Sequence, residues 1–432
     1  MLLIFPAIFQ DSLMCLTIPA KVIEVNGEKA VIKQSSGKKT ISIKAIPDTK
    51  VGDWVLYMSD IAVQKVAKKD AKEILELLEH VQKTDPNTLD PRFVEIIKNS
   101  KSRPLEKAEI EYLLKCEDKE KEALFSEADM MRRANINDFF CIHGIIEFSN
   151  YCINDCSYCG LRRQNKSIKR YRMSIKEVVK TVDEAVKIKG YKLIVLQSGD
   201  DPYYTKEKLV ELVKKIKETS KVFIFMSIGQ RDYETYKALR EAGVNGVLFR
   251  FETSNPDLFK KIHKDGKDFA ERFKHLKFMR ELKYFIASGS LIGIPGQTTY
   301  DLADDVITMR DSKFDMISMG PFIPCQNTPF ENEKHGDAEM NLKMISILRL
   351  ELKDIRIPVV TALETLDPVD GRKNAIQAGA NALMFNLTPE KYAEHYEIYK
   401  RKEALNTRMW EKYGLYNTDE SYKMLEEKLT ID

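Results

Sequence analysis

The chain has 432 residues, 43% of them hydrophobic and 31% charged, with a formal net charge of +3. That length allows two or three domains of ~150 residues, or one large barrel plus a small module. The near-balance of charge excludes a dedicated nucleic-acid binder, because no basic excess exists to release counterions.

The apolar opening from Met1 to Phe9 is broken by Pro6 and followed by Asp11. It is too short to span a bilayer and lacks the basic start and small-residue cleavage site of a secretion signal, so a cytoplasmic protein with no membrane partner is expected. Seven cysteines are too few for a disulfide scaffold. Four of them, Cys141, Cys152, Cys156 and Cys159, fall close together, while Cys15, Cys116 and Cys325 stand alone.

Residues 17–66 read as five short strands: TIPAKVIEV, KAVIKQ, KKTISIKA, DWVLYM and IAVQKV. Turn signals separate them at Asn26-Gly27, Ser35-Ser36-Gly37 and Val51-Gly52-Asp53. From Ala67 to Val81 the period becomes helical, with Ile74, Leu75, Leu77 and Leu78 along one face. A small β-barrel with a C-terminal helix is therefore expected over residues 1–83. A linker follows at Thr84-Asp85-Pro86-Asn87.

Residues 88–140 read as charged helices. From Gly144 onward, eight short apolar strands alternate with amphipathic helices: GIIEFS, KLIVLQ, VFIFMS, GVLFR, FIASGSLIGI, MISMG, PVVTAL and ALMFN. Eight strand–helix units over residues 144–386 predict an α/β fold, a (β/α)8 TIM-type barrel of ~250 residues. An open doubly wound sheet is the alternative. The second domain is expected over 84–432, with a helical lead-in and a charged helical tail from residue 400.

The run NYCINDCSYCGLRR holds Cys152, Cys156 and Cys159 spaced C-x3-C-x2-C, just past the first barrel strand. Active sites of such barrels sit at the C-terminal ends of the strands. Three thiolates on one tight loop can hold three irons of a 4Fe–4S cube and leave the fourth iron open. Structural zinc is the alternative, but it normally takes four ligands. Cys141, before the strand, is the one neighbour that could complete such a set.

This spacing, with Tyr158 directly before the third cysteine, resembles the signature of the radical S-adenosylmethionine (radical SAM) superfamily. The resemblance implies that the open iron chelates SAM and that one electron cleaves it to a 5′-deoxyadenosyl radical. Further segments are similar to the HydE family of FeFe-hydrogenase maturases: IEFSNYC, CGLRRQN, RYRMS, LQSGDDPYY, RFETSNPDLF, LIGIPGQT, GPFIPCQNTPF, TALETLDPVDGR and AGANALMFNLTP. The likeness spans about residues 86–400.

It implies that Gln197, Ser198, Gly199 and Asp200 form a loop for the SAM amino group, Asp200 standing where the family usually has Glu. Glu252 is expected to bind SAM, Arg272 to pair with its carboxylate, and Gly293 and Gly296 to line the adenine. Arg250 and Thr361 match the substrate or anion end of the cavity. The bland reading makes Arg250–Glu252 a structural ion pair and the glycines plain turns. Glu364 departs from the family pattern, and Cys325 stands where that pattern often has His.

Residues 14–81, from MCLTIPAKVIEV through VGDWVLY to AKEILELLEHV, are similar to HypC, a small NiFe-hydrogenase maturation chaperone. Cys15 matches the cysteine through which that family carries iron with diatomic ligands. Initiation at Met14 would make Cys15 N-terminal. Met58 stands where HypC proteins have a His. Together the resemblances imply a radical SAM enzyme of hydrogenase-cofactor maturation, acting on a small cysteine-bound Fe(CO)(CN) complex with other maturation proteins as partners. The competing readings are a radical SAM enzyme of the methylornithine synthase or biotin synthase type, and a non-catalytic iron–sulfur scaffold.

Overall fold

The computed structural model of the protein describes residues 18–34, 37–58, 61–72, 74–75, 88–136 and 141–399. Cys15, most of the helix expected after Leu75, and the tail from residue 400 lie outside these residues. Two compact units are formed, one by residues up to Ser102 with Asp118–Ala123, the other by Arg103–Glu117 and Leu124 onward.

In the first unit, β1 (Ile18–Asn26), β2 (Lys29–Gln34), β3 (Gly37–Ser42), β4 (Trp54–Met58) and β5 (Ile61–Val66) close a barrel in the order β1-β2-β3-β5-β4. Alternate residues turn inward, so Ala20, Val22, Ala30, Ile32, Ile41, Val55 and Ala62 share one buried core. Asn26-Gly27 makes the β1–β2 turn, with Gly27 at φ +58°. Residues 68–72 and 74–75 are helical, the start of the expected helix. Helix α1 (Pro91–Ser102) belongs to the same unit.

The second unit contains α2 (Lys107–Lys115), most of α3 (Asp118–Ile136) and a parallel sheet. Its strands are β6 (Cys141–Ser149), β7 (Leu193–Ser198), β8 (Phe223–Ser227), β9 (Gly246–Leu248), β10 (Phe285–Ser288), β12 (Met316–Ile317), β14 (Pro358–Val359) and β15 (Ala382–Asn386). They run in the order β12-β10-β9-β8-β7-β6-β15-β14. A parallel bridge between Met316 and Arg356, with Ile317 N–H on Arg356 O at 2.9 Å, brings the two edges together. The eight expected strands are all present, in a nearly closed TIM-type barrel rather than an open sheet.

Three stretches differ from expectation. FIASGSLIGI breaks at Gly289 and resumes as β11 (Leu291–Ile292), which pairs with β13 (Gly320–Pro321). A Cβ at Gly289 would stand 2.2 Å from Ser318 O, so only glycine passes this crossing. PVVTAL is a strand only through Val359; Thr361–Leu366 is helix α11, where Ala, Leu and Glu favour helix and Thr365 Oγ1 donates to Thr361 O at 2.8 Å. Strand β6 begins at Cys141, three residues early, because 141–143 already pair with 382–384.

The barrel is filled, not hollow, at the N-terminal ends of its strands. Cys141, Leu193, Val195, Phe225, Phe285, Ala287, Met316 and Ala382 form one apolar layer. Gly246 leaves the room that Phe225 takes, since a Cβ there would lie 2.4 Å from its ring. Helices α4 (Ile175–Lys187), α5 (Lys206–Thr219), α6 (Tyr233–Glu241) and α9 (Thr299–Asp311) each start behind a Ser, Thr or Asp whose side chain accepts a backbone N–H. No helix among the described residues is long and apolar enough to cross a membrane.

Arg349, fully buried on α10 (Ala338–Glu351), ties down the last unit. Its guanidinium donates to Gly379 O, Leu352 O, Lys353 O and Asn381 Oδ1 at 2.9–3.2 Å. Burial pushes its pKa down to about 9. Arg349→Met removes these donors and strands four acceptors, so the melting transition is expected to fall by the equivalent of roughly 3 kcal/mol; a Tm within a degree of the parent would refute this.

Candidate active site at the barrel mouth

The three cysteines follow β6 on an irregular loop whose polar groups are satisfied by a few side chains. Asn150 Nδ2 donates to Lys169 O and His395 O at 2.8 and 2.7 Å. Arg170 donates to the carbonyls of Asn150, Leu161, Arg162 and Asn165. Asp155, buried, accepts Gln164 N–H at 2.9 Å and the Arg163 guanidinium at 2.7 Å. These bonds fix the loop without help from regular structure.

Gly199 explains how β7 meets this loop. A Cβ there would lie 2.1 Å from Tyr151 O and 2.8 Å from Cys152 Cβ. The next residue, Asp200, points its N–H at Cys152 Sγ, 3.3 Å away. Burial, the largest effect, raises all three thiol pKa values, with Cys156 reaching about 12. Binding a metal through these thiols requires their deprotonation. Cys141 is excluded from this set, because it lies eight residues down β6, about 26 Å away at ~3.3 Å per residue. There it meets His143 Nε2 at 3.1 Å, whose pKa burial lowers to about 3.

Around the thiols stand most of the polar residues singled out above. Gln197 Nε2 donates to Tyr396 Oη at 3.3 Å, and Ser198 Oγ donates to Gly199 O. Asp200 lies 3.4 Å from Arg231 and 4.0 Å from Lys267, and its Oδ1 makes no hydrogen bond. Tyr158 packs on the apolar group of Leu258, Ile262 and Leu291 and faces His263 edge-on at 6.0 Å. Its pKa is driven well up by burial and then by Glu252.

Glu252 adopts φ +72°, a left-handed conformation costly for a residue with a side chain. It is held by its N–H on Gly289 O at 3.1 Å and by Leu291 N–H on its own carbonyl at 2.8 Å. Arg250 Nη2 lies 3.1 Å from Glu252 Oε2 and donates to Ser290 O at 2.7 Å. The ion pair of the bland reading thus exists, and Arg250 Nε is buried without a hydrogen-bond partner. Arg272 stacks its guanidinium 4.5 Å above Phe249, and its buried Nε also lacks a partner.

Gly293 needs both its φ of +83° and its missing Cβ, which would meet Gly336 Cα at 2.3 Å; Gly296 needs only its φ of +86°. Thr361, at the first turn of α11, is half-buried. Glu364 pairs with Arg372, whose guanidinium lies over Phe385. Cys325 is packed beside the cluster loop, 2.6 Å from where a Gly160 Cβ would be.

Sequence reading missed two features. Asp201, fully buried, accepts Ser149 Oγ and Arg172 Nε, both at 2.7 Å; burial opposes but these bonds prevail, and its pKa is lowered. The segment 387–398 crosses the loop: Ile398 O accepts Gly160 N–H at 2.9 Å, and Lys391 and Tyr392 both reach Glu177. A doubled acid after Ser-Gly was the available signal for the first; nothing periodic marks the second. A cavity of about 260 Å³ opens beside Cys152, rimmed by Arg163, Lys166 and Arg170.

The donor set fits a cluster with an aminoacyl ligand. Three thiols sit on one loop, near buried carboxylate and guanidinium groups of the kind that pair with the two ends of a zwitterion. The superfamily model described as Radical SAM matches residues 146–306, and the HupF/HypC family model matches residues 14–78. The FeFe-hydrogenase maturase subunit HydE of Thermotoga maritima is 44% identical over 281 residues, covering 65% of this chain and 80% of that one. The 3-methylornithine synthase of Methanosarcina acetivorans is 32% identical over 66% of this chain and 80% of its own. The crystal structure of methylornithine synthase superposes with a TM-score of 0.67 at 27% identity, over 76% of this chain and 99% of that one.

Barrel, cysteine loop and superfamily match define a radical SAM enzyme. Within that class the chain belongs to the HydE family of hydrogenase maturases, with a HypC-like module before it. This membership implies a 4Fe–4S cluster and SAM as cofactors.

Two outcomes are expected. Gly199→Ala forces Tyr151 and Cys152 aside, so anaerobic reconstitution should incorporate several-fold less iron and sulfide and the Tm should fall; full incorporation would contradict the close approach. Glu177 has its pKa lowered to about 2, first by Lys391 and then by the Ser174 N–H. Its contribution to stability is complete above the ordinary value of 4.5 and is lost as pH falls through about 2. The Tm gap between the parent and Glu177→Gln should therefore shrink between those pH values, and a gap constant with pH would refute the assignment.

Proposed function

We propose that this chain matures a hydrogenase cofactor by radical chemistry on a small iron complex: a cysteine-bound iron carrying CO and cyanide. The observation that carries the reading is the cysteine loop at the mouth of a barrel 44% identical to HydE. Cys152, Cys156 and Cys159 would hold the 4Fe–4S cluster, which when bound supplies the electron that splits SAM into methionine and a 5′-deoxyadenosyl radical.

The chain's own residues bind and orient. Gln197, Ser198, Gly199 and Asp200 bring one loop against Cys152, with Asp200 as acceptor for the SAM ammonium. Arg272, with a free donor held over an aromatic face, suits the methionyl carboxylate. Glu252 presents a carboxylate for the nucleoside side, Tyr158 fills the space beside the cluster, and Gly293 and Gly296 let backbone approach the adenine. Arg250 and Thr361 would face the substrate end. The apolar layer below excludes water from the far end of the barrel.

The HypC-like module, taken as residues 1–83 beside a barrel domain of 84–432, would hand iron fragments to the barrel in cis through Cys15. A covalent link raises the local concentration of such a carrier. The likeness to methylornithine synthase supports a second reading, radical chemistry on a carbon substrate.

The test is anaerobic reconstitution with dithionite and SAM, with or without a synthetic cysteine–iron–dicarbonyl–cyanide complex, scored by 5′-deoxyadenosine. Several-fold stimulation by the complex is expected, abolished in Cys156→Ser and weakened at low complex concentration in Cys15→Ala. Turnover that ignores the complex favours the second reading, and no 5′-deoxyadenosine at all would leave only a scaffold.

A further inference from the structure

Asp305 lies one and a half turns into α9, on a helix that carries no residue of the site, and is completely buried. Among the described residues no cation pairs with it. Burial pushes its carboxyl up to about 7, against the hydrogen bonds it receives. A lone buried acid is costly to stability and is weakly explained by packing.

Its two oxygens face two different turns. Oδ1 accepts both the N–H and the Oγ–H of Ser254, at 2.6 and 2.7 Å. Ser254 stands two residues after Glu252, whose backbone is held in the left-handed region. Oδ2 accepts Gln297 Nε2 at 3.3 Å. Gln297 in turn organises the Gly293 turn: its Oε1 accepts the N–H groups of Gly293 and Ile294 at 2.7 and 3.2 Å, and its Nε2 also donates to Leu291 O at 3.1 Å. Neighbouring Asp301 reaches Asn255 Nδ2 and caps its own helix through Thr298, but it does not touch the Gly293 turn.

We propose that Asp305 is a positioning residue that latches the Glu252 turn to the Gly293 turn, so that a carboxylate and a stretch of backbone from separate loops meet SAM as one preformed surface. The proposal rests on the reading above that these two turns take SAM. Preformation lowers the ordering cost that the ligand must otherwise meet.

The test uses the reconstituted full-length holoprotein without reductant, read by equilibrium dialysis of SAM, amide hydrogen exchange and Tm. Asp305→Asn keeps an acceptor for Ser254 but turns an amide donor toward the amide of Gln297. Exchange should rise roughly tenfold over 291–297 and less over 250–255, and SAM affinity should fall roughly tenfold. The Tm should change little, because relief of the buried acid offsets the mismatch with Gln297. Adding Gln297→Glu restores a donor–acceptor match at that contact but removes the donor to Leu291 O, so part of the affinity should return.

Unchanged exchange in both turns with parental affinity would overturn the latch. So would affinity and Tm falling together with no recovery in the double variant, the mark of a merely structural residue. If the parent binds no SAM while Asp305→Asn still loosens 291–297, the latch stands and the SAM reading fails.

Discussion

An irregular loop bearing three thiols can sit at a barrel mouth only if its backbone donors and acceptors find partners that are not water. Asn150, Asp155 and Arg170 meet that demand. Arg170 alone serves four carbonyls spread from residue 150 to residue 165. Because the loop is fixed from outside, its inner side is free to hold three half-buried thiols together. The cost is that β7 must come very close, which is why Gly199 stands where any side chain would strike Tyr151 and Cys152.

The same strand carries opposite chemistry at its two ends. Inward residues of β6 begin with Cys141 in an apolar plug and end with Glu147 and Ser149 among polar partners. Glu147 Oε2 accepts Asn386 Nδ2 at 2.9 Å, and Ser149 Oγ donates a hydrogen bond to Asp201. The gradient from filled and apolar to open and polar confines reactive chemistry to the mouth.

Much of this was legible in the sequence. Parallel strands buried on both faces are unbroken apolar runs, so all eight could be read directly. The cysteine spacing pointed to the radical SAM superfamily, and the two family likenesses are both matched. What escaped is set by tertiary contact. Val360 and Thr361 look like strand residues, but the helix-favouring Ala-Leu-Glu that follows turns the chain at Thr361. Glu252 gives no hint of a left-handed backbone, because that conformation is imposed by Gly289 and Leu291 from the next strand. Cys141 looked close to the cluster cysteines, and only the length of an extended strand removes it.

The crossing of segment 387–398 over Gly160 joins two ends of the barrel's folding history. Gly160 N–H binds Ile398 O, and Gly160 has no Cβ because Glu397 O would lie 2.1 Å from one. Gly160 is the residue directly after Cys159. Whatever orders Cys159 is thus felt in the last described stretch of the chain, and any loosening of that stretch is felt at Cys159. The barrel's last described segment and its first loop are therefore coupled at this point, so a change in one is read in the other.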